Sequence, residues 1–466
     1  MKNPQVRFPA LLMGCFLLFF ASCKKNTDVI AAAPTNTGGT GGGAVSSINI
    51  KDSVLLLTKD IYLWNNQIPS GFGVASYNDP AAIMTAIQPY SMEPGFPAAV
   101  DKWSFAMKKT EWDQMSGGMG TLGSTTAAGD FGFSVFFLAE GDLRVRLVEP
   151  NATAWQQGIK RGWRITAING NTNITTGNSS FIVNAVYHST GSTFTFQKPD
   201  GGTVSLTCTA GNYAIKQVYL DTVYSINSKK IGYLVFNSFL GNINSINAEF
   251  QRVFSRFASE QVTDVVVDLR YNGGGYVVLA EQLCNYLVKS SANGGLMMTQ
   301  TYNNQNSQNN QETNFRKAGT LNLGDIYFIV GRGTASASEL VINNLKPYME
   351  VKLLGPSATH GKPVGYFPIP VSDWYIFPVS FKTVNKDGQG NYYNGIPVNA
   401  QVADGLDKDW GDVNEASLAS AIRKITSGSY LLREEEAVYN EPPAVRDGNE
   451  RLNSTSLKLT IGTGKN

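Results

Sequence analysis

Histidine and cysteine are scarce in this chain, and their scarcity excludes several kinds of site. Only two histidines occur, His188 and His360, and the four cysteines are scattered at positions 15, 23, 208 and 284. No Cys/His cluster has the spacing of a zinc site, and so few cysteines do not form a disulfide framework. We therefore expect neither a bound metal nor a disulfide scaffold.

Charged residues are also few. They make up 16% of the 466 residues, against about a quarter in an average globular protein. The 38 basic and 36 acidic side chains leave a net charge of +2, and no basic stripe occurs. This balance argues against a nucleic-acid partner. The chain is 42% hydrophobic, and its length is enough for several domains.

The uncharged run at the N-terminus is too short to cross a membrane. It has fourteen residues, Phe8 to Ala21, and follows Lys2 and Arg7, which is typical of a secretory signal peptide over residues 1–22. Its end, Phe20-Ala-Ser-Cys23, resembles a bacterial lipobox, with Phe20 at the usual leucine position. The resemblance implies a lipid on Cys23, anchoring to a membrane and a place in the cell envelope. A plain secretory signal is the alternative.

Five further regions follow the signal peptide, and together they predict an α/β multidomain chain. Residues 23–46 are small, polar and Gly-rich, which is typical of a flexible tether. Residues 47–115 are predicted to form a small helical domain, because apolar residues recur at helical spacing behind Asp52 or Ser53 as the N-cap.

The rest of the chain changes pattern twice. Residues 116–215 contain short strands with turn signals, which predicts a compact β-rich domain. Residues 216–425 alternate strands with helices and predict a βαβ-type layered domain. An Asn/Gln-rich excursion from Asn303 to Gln311 is a predicted surface loop. Residues 426–466 are expected to be a C-terminal tail.

Two loops follow predicted strands of the βαβ region, where ligand sites of such sheets lie. One is Tyr271-Asn-Gly-Gly-Gly-Tyr276. It lacks the Gly-Lys-Ser/Thr ending of a phosphate loop, and Val278 stands where a dinucleotide motif needs its third glycine, so we expect no cofactor. The glycines could instead let backbone amides approach an oxyanion, or simply form a tight turn.

The second loop leads into Ser336-Ala-Ser-Glu339, which fits the capping box of a helix N-terminus. A serine nucleophile would need a base as well. His360 and Lys362 lie 24 and 26 residues further on, and either is a candidate. Lysine acts as a base when burial lowers its pKa from about 10.4. Either base could reach Ser336 only if the strands at 325–330 and 351–355 lie side by side.

Four segments in this order resemble the C-terminal processing (tail-specific) serine proteases: IGYLVFNSF, VVVDLRYNGGG, TASASE and the Gly-Lys pair at 361–362. The resemblance covers about residues 50–425. It implies a ClpP- and crotonase-like mixed βαβ protease core over 216–425. It also implies a PDZ domain over 116–215, and the helical start with DKWSF (Asp101 to Phe105) resembles lipoprotein members from Bacteroidetes-like bacteria.

The resemblance also implies the roles of individual residues. Ser336 is the expected nucleophile, Lys362 the general base, and the amides of Gly274 and Ala337 the oxyanion hole. Tyr366 stands where family members place a glutamine that holds the lysine amine, and its phenol is expected to accept the same hydrogen bond.

The predicted PDZ domain carries a second site. Phe131-Gly132-Phe133 matches the carboxylate-binding loop, so a polypeptide C-terminus is expected to add there as a strand. Trp163 replaces the Asp usual further along the domain. The expected activity is that of a serine endopeptidase of the cell envelope, acting through an acyl-enzyme. A PDZ-bearing lipoprotein that binds C-termini without cutting and a crotonase-like acyl-transfer enzyme are the alternatives.

Overall fold

Helices and strands are described for residues 49–116, 130–430 and 442–456 of the computed structural model. All of these residues belong to one unit, Ile48–Asn466. The predicted signal peptide, the lipidation site Cys23 and the tether lie outside the described residues. Within the described ranges, none of the helices combines the length and the apolar character needed to span a bilayer.

The N-terminal region is mainly helical. It contains α1 (Ile50–Ile61), a 3₁₀ turn (Asn65–Gln67), α2 (Pro80–Ile87), β1 (Phe105–Lys108) and α3 (Lys109–Ser116). The N-cap of α1 is Asn49, whose side chain accepts the Lys51 N–H at 3.2 Å. The prediction of Asp52 or Ser53 as the cap was therefore wrong by one turn, because both residues lie inside the first turn of the helix.

A five-stranded antiparallel sheet follows. Its elements are β2 (Phe133–Ala139), β3 (Asp142–Val148), α4 (Thr153–Gln156), β4 (Arg164–Ile168), a 3₁₀ turn (Thr176–Asn178), α5 (Ser179–Val183), a π-helical turn (Asn184–His188), β5 (Gly191–Gln197) and β6 (Thr203–Thr209). The strands run in the order β2-β3-β4-β5-β6, so β2 lies at an edge. Phenylalanines at 131, 133, 137, 194 and 196 dominate its core.

The remaining region is a layered α/β structure. Its elements are β7 (Val218–Ile226), β8 (Lys229–Phe236), α6 (Ile243–Ser259), β9 (Asp264–Asp268), α7 (Val277–Leu287), β10 (Leu296–Tyr302), β11 (Gln311–Asn314), β12 (Asp325–Ile329), α8 (Ala337–Leu345), β13 (Glu350–Gly355), β14 (Val364–Gly365), β15 (Ile369–Val371), β16 (Trp374–Phe377), β17 (Phe381–Asn385), β18 (Ala400–Gln401) and α9 (Ala416–Ser427). Short 3₁₀ turns occur at Ser290–Ala292 and Asn304–Asn309. The chain is thus a mixed α/β protein with several sheets.

The central sheet has six strands in the order β18-β13-β12-β9-β8-β7. All neighbours are parallel except β7 and β8. Apolar side chains of α6, α7 and α8 cover one face, and those of α9 cover the other. The expected pairing of the strands near 325 and 351 is confirmed, with Ile326 opposite Val351.

Two smaller antiparallel sheets flank this layer. β11, β10, β17 and β14 form one, and β1, β16 and β15 form the other. The second sheet joins the N-terminal region to the α/β region, with Phe105 opposite Phe377. Val54 and Trp103 share a core with Ile376, so the helices expected as a domain of their own are packed against the later region.

Two segments expected to be irregular are ordered. Asn303, in the predicted surface loop, is buried and donates hydrogen bonds to the carbonyls of Asp60 and Tyr62. In the expected C-terminal tail, α10 (Pro443–Ser456) packs on the five-stranded sheet, and Val445 and Leu452 are fully buried there.

A cluster of charged side chains lies at the carboxyl end of β9. The Arg270 guanidinium contacts Asp268 at 2.7 Å and both Asp404 and Glu415 at 2.8 Å. Arg161, from the five-stranded sheet region, reaches the same Asp404 at 2.5 Å. Burial raises the pKa of Glu415, but the charges of Arg270 and Arg161 and the hydrogen bonds from Arg270 together lower it below its ordinary value.

Replacing Arg270 is expected to destabilise the fold strongly. Arg270→Met would leave the buried carboxylates of Asp268 and Glu415 without their main partner, and breaking such a pair costs about 3–5 kcal/mol. Arg256→Met is the matched control, because Arg256 binds Asp221 and Glu260 on the exposed face of α6 and a surface pair contributes about 0–1 kcal/mol. Denaturant unfolding measures both. Equal losses would contradict this account of the cluster.

Candidate active site

Three loops meet at the carboxyl edge of the parallel strands. They follow β9, β12 and β13 and span residues 269–276, 330–336 and 356–363. They carry the glycine cluster, Ser336 and Lys362. Thr334 ties the first two loops together, since its hydroxyl donates to the Leu269 carbonyl at 2.8 Å. The sheet therefore brings the sequence-predicted residues to one place.

Ser336 has a strained backbone. It is the N-cap of α8, with φ 55° and ψ −115°. Residues other than glycine rarely adopt this combination of backbone dihedral angles. Strain of this kind persists only where the surroundings fix it, and it clusters at functional sites. Ser336 is partly exposed, whereas its neighbours Ala335 and Ala337 are buried. The turn thus presents one hydroxyl at the surface of the site.

Glu339 fixes the loops around Ser336. Its carboxylate is fully buried and accepts four hydrogen bonds. One oxygen accepts from the Thr359 hydroxyl and the Gly361 N–H, both at 2.6 Å. The other accepts from the N–H of Ser336 at 2.9 Å and of Lys362 at 2.8 Å. The backbone amides of the two expected catalytic residues therefore share one oxygen atom.

Lys362 has the environment of a lysine base. Its side chain is 4% exposed, and burial lowers its pKa to about 7, against the opposing carboxylates of Asp101 and Glu339. Its Nζ lies 3.9 Å from the centroid of the Tyr366 ring. A large fraction of Lys362 is therefore neutral near pH 7, as proton abstraction requires.

Tyr366 contacts Lys362 in a way that differs from the prediction. The ammonium lies over the ring face, and the phenol hydroxyl is buried without a hydrogen-bond partner in the described structure. The expected hydrogen bond from the amine to the phenol is therefore not formed in the described structure. The contact between Lys362 and Tyr366 instead has the geometry of a cation–π interaction.

His360 does not have the properties of a rival base. Its Nε2 accepts a hydrogen bond from Trp103 Nε1 at 3.2 Å. Burial, followed by the nearby charge of Lys362, lowers its pKa to about 4. A weakly basic nitrogen that is already hydrogen-bonded is poorly suited to accept a proton at neutral pH. The contact instead ties the 359–362 loop to the N-terminal region.

The predicted oxyanion donors differ from each other. Ala337 is the first residue of α8, so its N–H has no acceptor within the helix. The Gly274 N–H donates to Asn272 Oδ1 at 2.9 Å and is already engaged. A side chain at Gly274 would lie 2.8 Å from the Ser336 Cβ and from the Ala337 nitrogen, so only glycine allows this close approach.

The expected nucleophile and base, Ser336 and Lys362, share one hydrogen-bond acceptor through their backbone amides. Across the described residues, no hydrogen bond joins the Ser336 hydroxyl to the Lys362 amine. Catalytic hydrogen bonds often tighten only when substrate is bound.

Asp101 was not identified from the sequence as a site residue. Its buried carboxylate accepts from the Tyr62 hydroxyl at 2.8 Å and from the amides of Trp103 and Ser104 at 2.9 and 3.0 Å. It acts on Lys362 by charge. The only sequence signal was its place in DKWSF, which resembled a family motif without a stated role.

The predicted carboxylate-binding loop is closely packed on one side and borders a cavity on the other. The Gly132 N–H donates to Asp130 Oδ1 at 2.7 Å, and a Cβ at Gly132 would lie 2.0 Å from that of Ala152. Phe131 and Phe133 are buried in the core of their own sheet, but Gly132 and Phe133 also line a cavity with Ser134. Peptide binding at this loop stays a prediction.

Metal-binding and cysteine chemistry give no further site in the described ranges. No group of His, Cys, Asp and Glu side chains there could hold a metal ion. Cys208 and Cys284 are free and buried, and burial raises the pKa of both thiols. Both are therefore poor nucleophiles.

Comparison with known proteins agrees with the fold. Residues 230–402 match Peptidase family S41. A Bacteroides fragilis protein assigned to the S41 proteases has a similar structure, with 23% identity and a TM-score of 0.64, covering 85% of this chain and 99% of that one. A photosystem II D1 C-terminal processing protease matches at 17% identity and a TM-score of 0.47, covering 76% and 92% of the two chains. No curated protein matches.

These findings identify the chain in general terms. It is a hydrolase of the peptidase class. More specifically, it carries the domain of peptidase family S41, the C-terminal processing proteases, over residues 230–402.

Proposed function

We propose that the chain is a serine endopeptidase of the cell envelope that cuts polypeptides through a Ser336–Lys362 dyad. The observation that carries this proposal is the Glu339 carboxylate oxygen that holds the backbone amides of both residues. The strained Ser336 and the buried Lys362 with its lowered pKa support it.

The proposed reaction balances with these two side chains and water. Ser336 Oγ attacks the carbonyl carbon of the scissile peptide bond, and Lys362 Nζ accepts the hydroxyl proton. The tetrahedral oxyanion is stabilised by the Ala337 N–H, by the α8 N-terminus and by the Gly274 N–H once Asn272 releases it. The C–N bond then breaks, Lys362 returns the proton to the leaving amine, and water hydrolyses the ester.

We further propose a PDZ role for the five-stranded sheet, which would recruit substrates by their C-termini. The edge position of β2 supports strand addition. Lipidation of Cys23 would hold the enzyme at a membrane, which follows from the lipobox-like Phe20-Ala-Ser-Cys23.

Incubation with an unfolded polypeptide tests the proposed activity. We expect new internal N-termini, identified by mass spectrometry, and slower cleavage when the substrate C-terminus is amidated. A second candidate, capture without cutting, is favoured by the engaged Gly274 amide. Retention of intact polypeptide with no new termini would establish that candidate and reject the peptidase proposal.

A further inference from the structure

Two side chains of the chain itself cover the outer edge of β2. Among the described strands, β2 pairs only with β3. The Val135 N–H donates to the Tyr187 hydroxyl at 3.1 Å, and the Phe137 N–H donates to Asn449 Oδ1 at 2.7 Å. Two N–H groups that an added strand could use, those of Val135 and Phe137, are therefore satisfied from within the chain.

The Asn449 side chain makes with Phe137 the two hydrogen bonds that a residue of a neighbouring strand would make. Its Oδ1 accepts from Phe137, and its Nδ2 donates to the Phe137 carbonyl at 2.9 Å. A hydrogen-bonded residue in an antiparallel pair also exchanges one N–H and one C=O with its partner. The carboxamide offers the same donor and acceptor groups as a peptide bond. At the β2 edge, α10 therefore makes the hydrogen bonds that a bound polypeptide would make.

The helix that carries Asn449 has few apolar anchors. Val445 and Leu452 are fully buried and lie with Asn449 at helical spacings of four and three, on one face. Gly448 lets this face approach closely, since a Cβ there would lie 3.0 Å from the Thr176 Cβ. Most other residues of Pro443–Ser456 are polar, and an isolated helix of this length is marginal in water.

We propose that α10 is a releasable ligand of the β2 edge, bound in cis, and that a polypeptide adds to this edge only after α10 has left. The proposal rests on the proposed peptide binding by the sheet. A polypeptide pairing with Phe137 would replace the hydrogen bonds of Asn449, and pairing at Val135 would also displace the Tyr187 hydroxyl. Because an occupied edge cannot bind, the apparent affinity for a polypeptide equals the affinity of the free edge multiplied by the fraction of chains in which α10 has left.

Peptide binding to the full-length chain tests this. All variants carry Ser336→Ala, so the measurement is independent of cleavage and of whether the peptidase proposal holds. The probe is a fluorescent peptide with an apolar residue at its free C-terminal carboxylate. We expect Gly448→Leu/Asn449→Ala to bind it about ten-fold more tightly or better. Leucine has a higher helix propensity than glycine. The double substitution should therefore disturb the packing of α10 on the five-stranded sheet without weakening the helix itself. The exposed Glu450→Ala is the matched control and should bind as the parent does.

Hydrogen exchange at the backbone amides of α10 shows whether the helix has left, because Asn449→Ala itself removes the acceptor of the Phe137 amide. Loss of protection in α10 alone, with tighter binding, supports the proposal. Loss in α10 with unchanged affinity overturns it. Retained protection of α10, or loss across the whole five-stranded sheet, also overturns it, because α10 would then be a fixed part of the core.

Discussion

Ser336→Ala is expected to lower the rate of peptide cleavage by about 10⁴-fold or more, because the covalent step has no other nucleophile. Ser336 is the partly exposed hydroxyl of the loop, held at φ 55° at the start of α8. Alanine keeps a Cβ in the same backbone geometry, so folding should be unaffected. The rate of appearance of new N-termini in an unfolded substrate measures the loss.

Ser338→Ala is the matched control for this change. Ser338 lies two residues away, is buried, and donates to the Asn272 carbonyl at 2.8 Å. Its loss removes one hydrogen bond, which costs about 1 kcal/mol of stability, and leaves the chemistry in place. Full activity of Ser336→Ala would end the proposed mechanism.

Removal of the base gives the second large effect. Lys362→Ala is expected to lower kcat/KM by about 10²–10⁴-fold, which is about 3–5 kcal/mol of transition-state stabilisation. In the wild type the neutral amine is the active form. Activity should therefore rise as the pH increases through about 7, where Lys362 loses its proton. A profile of kcat/KM against pH measures this limb.

Asp101 and His360 provide the tests of that assignment. Asp101→Asn removes a negative charge that favours the protonated lysine, so the rising limb should move to lower pH. His360→Ala should leave the limb where it is, since the imidazole has a pKa of about 4. A limb that disappears with His360 and persists without Lys362 would assign the base to histidine.

Local patterns predicted the parts of the fold that depend on neighbours in sequence. The β12 strand, the turn and the helix start at Ser336 follow from an apolar run, two glycines and a capping box. The pairing of β12 with β13 follows from the short helix between them. The helical spacing of the apolar residues in α6 also matches its buried face, which includes Phe250 and Phe254.

The sequence could not show contacts made between distant segments. Trp103 and His360 are 257 residues apart, and no spacing rule links them. Tyr366 had the right position, but only the fold shows that its ring, not its hydroxyl, meets Lys362. The polar composition of 442–456 suggested a tail, because two buried apolar residues are too few to mark a packed helix.

The shared Glu339 oxygen has a mechanical consequence. Two reacting groups on separate loops normally fluctuate independently, and the spread of their separation widens with each loop's own motion. Here the backbones of Ser336 and Lys362 are coupled through one rigid carboxylate, so a displacement of either loop carries the other with it. The backbones of Ser336 and Lys362 can therefore move together relative to the sheet, while the distance between them changes little.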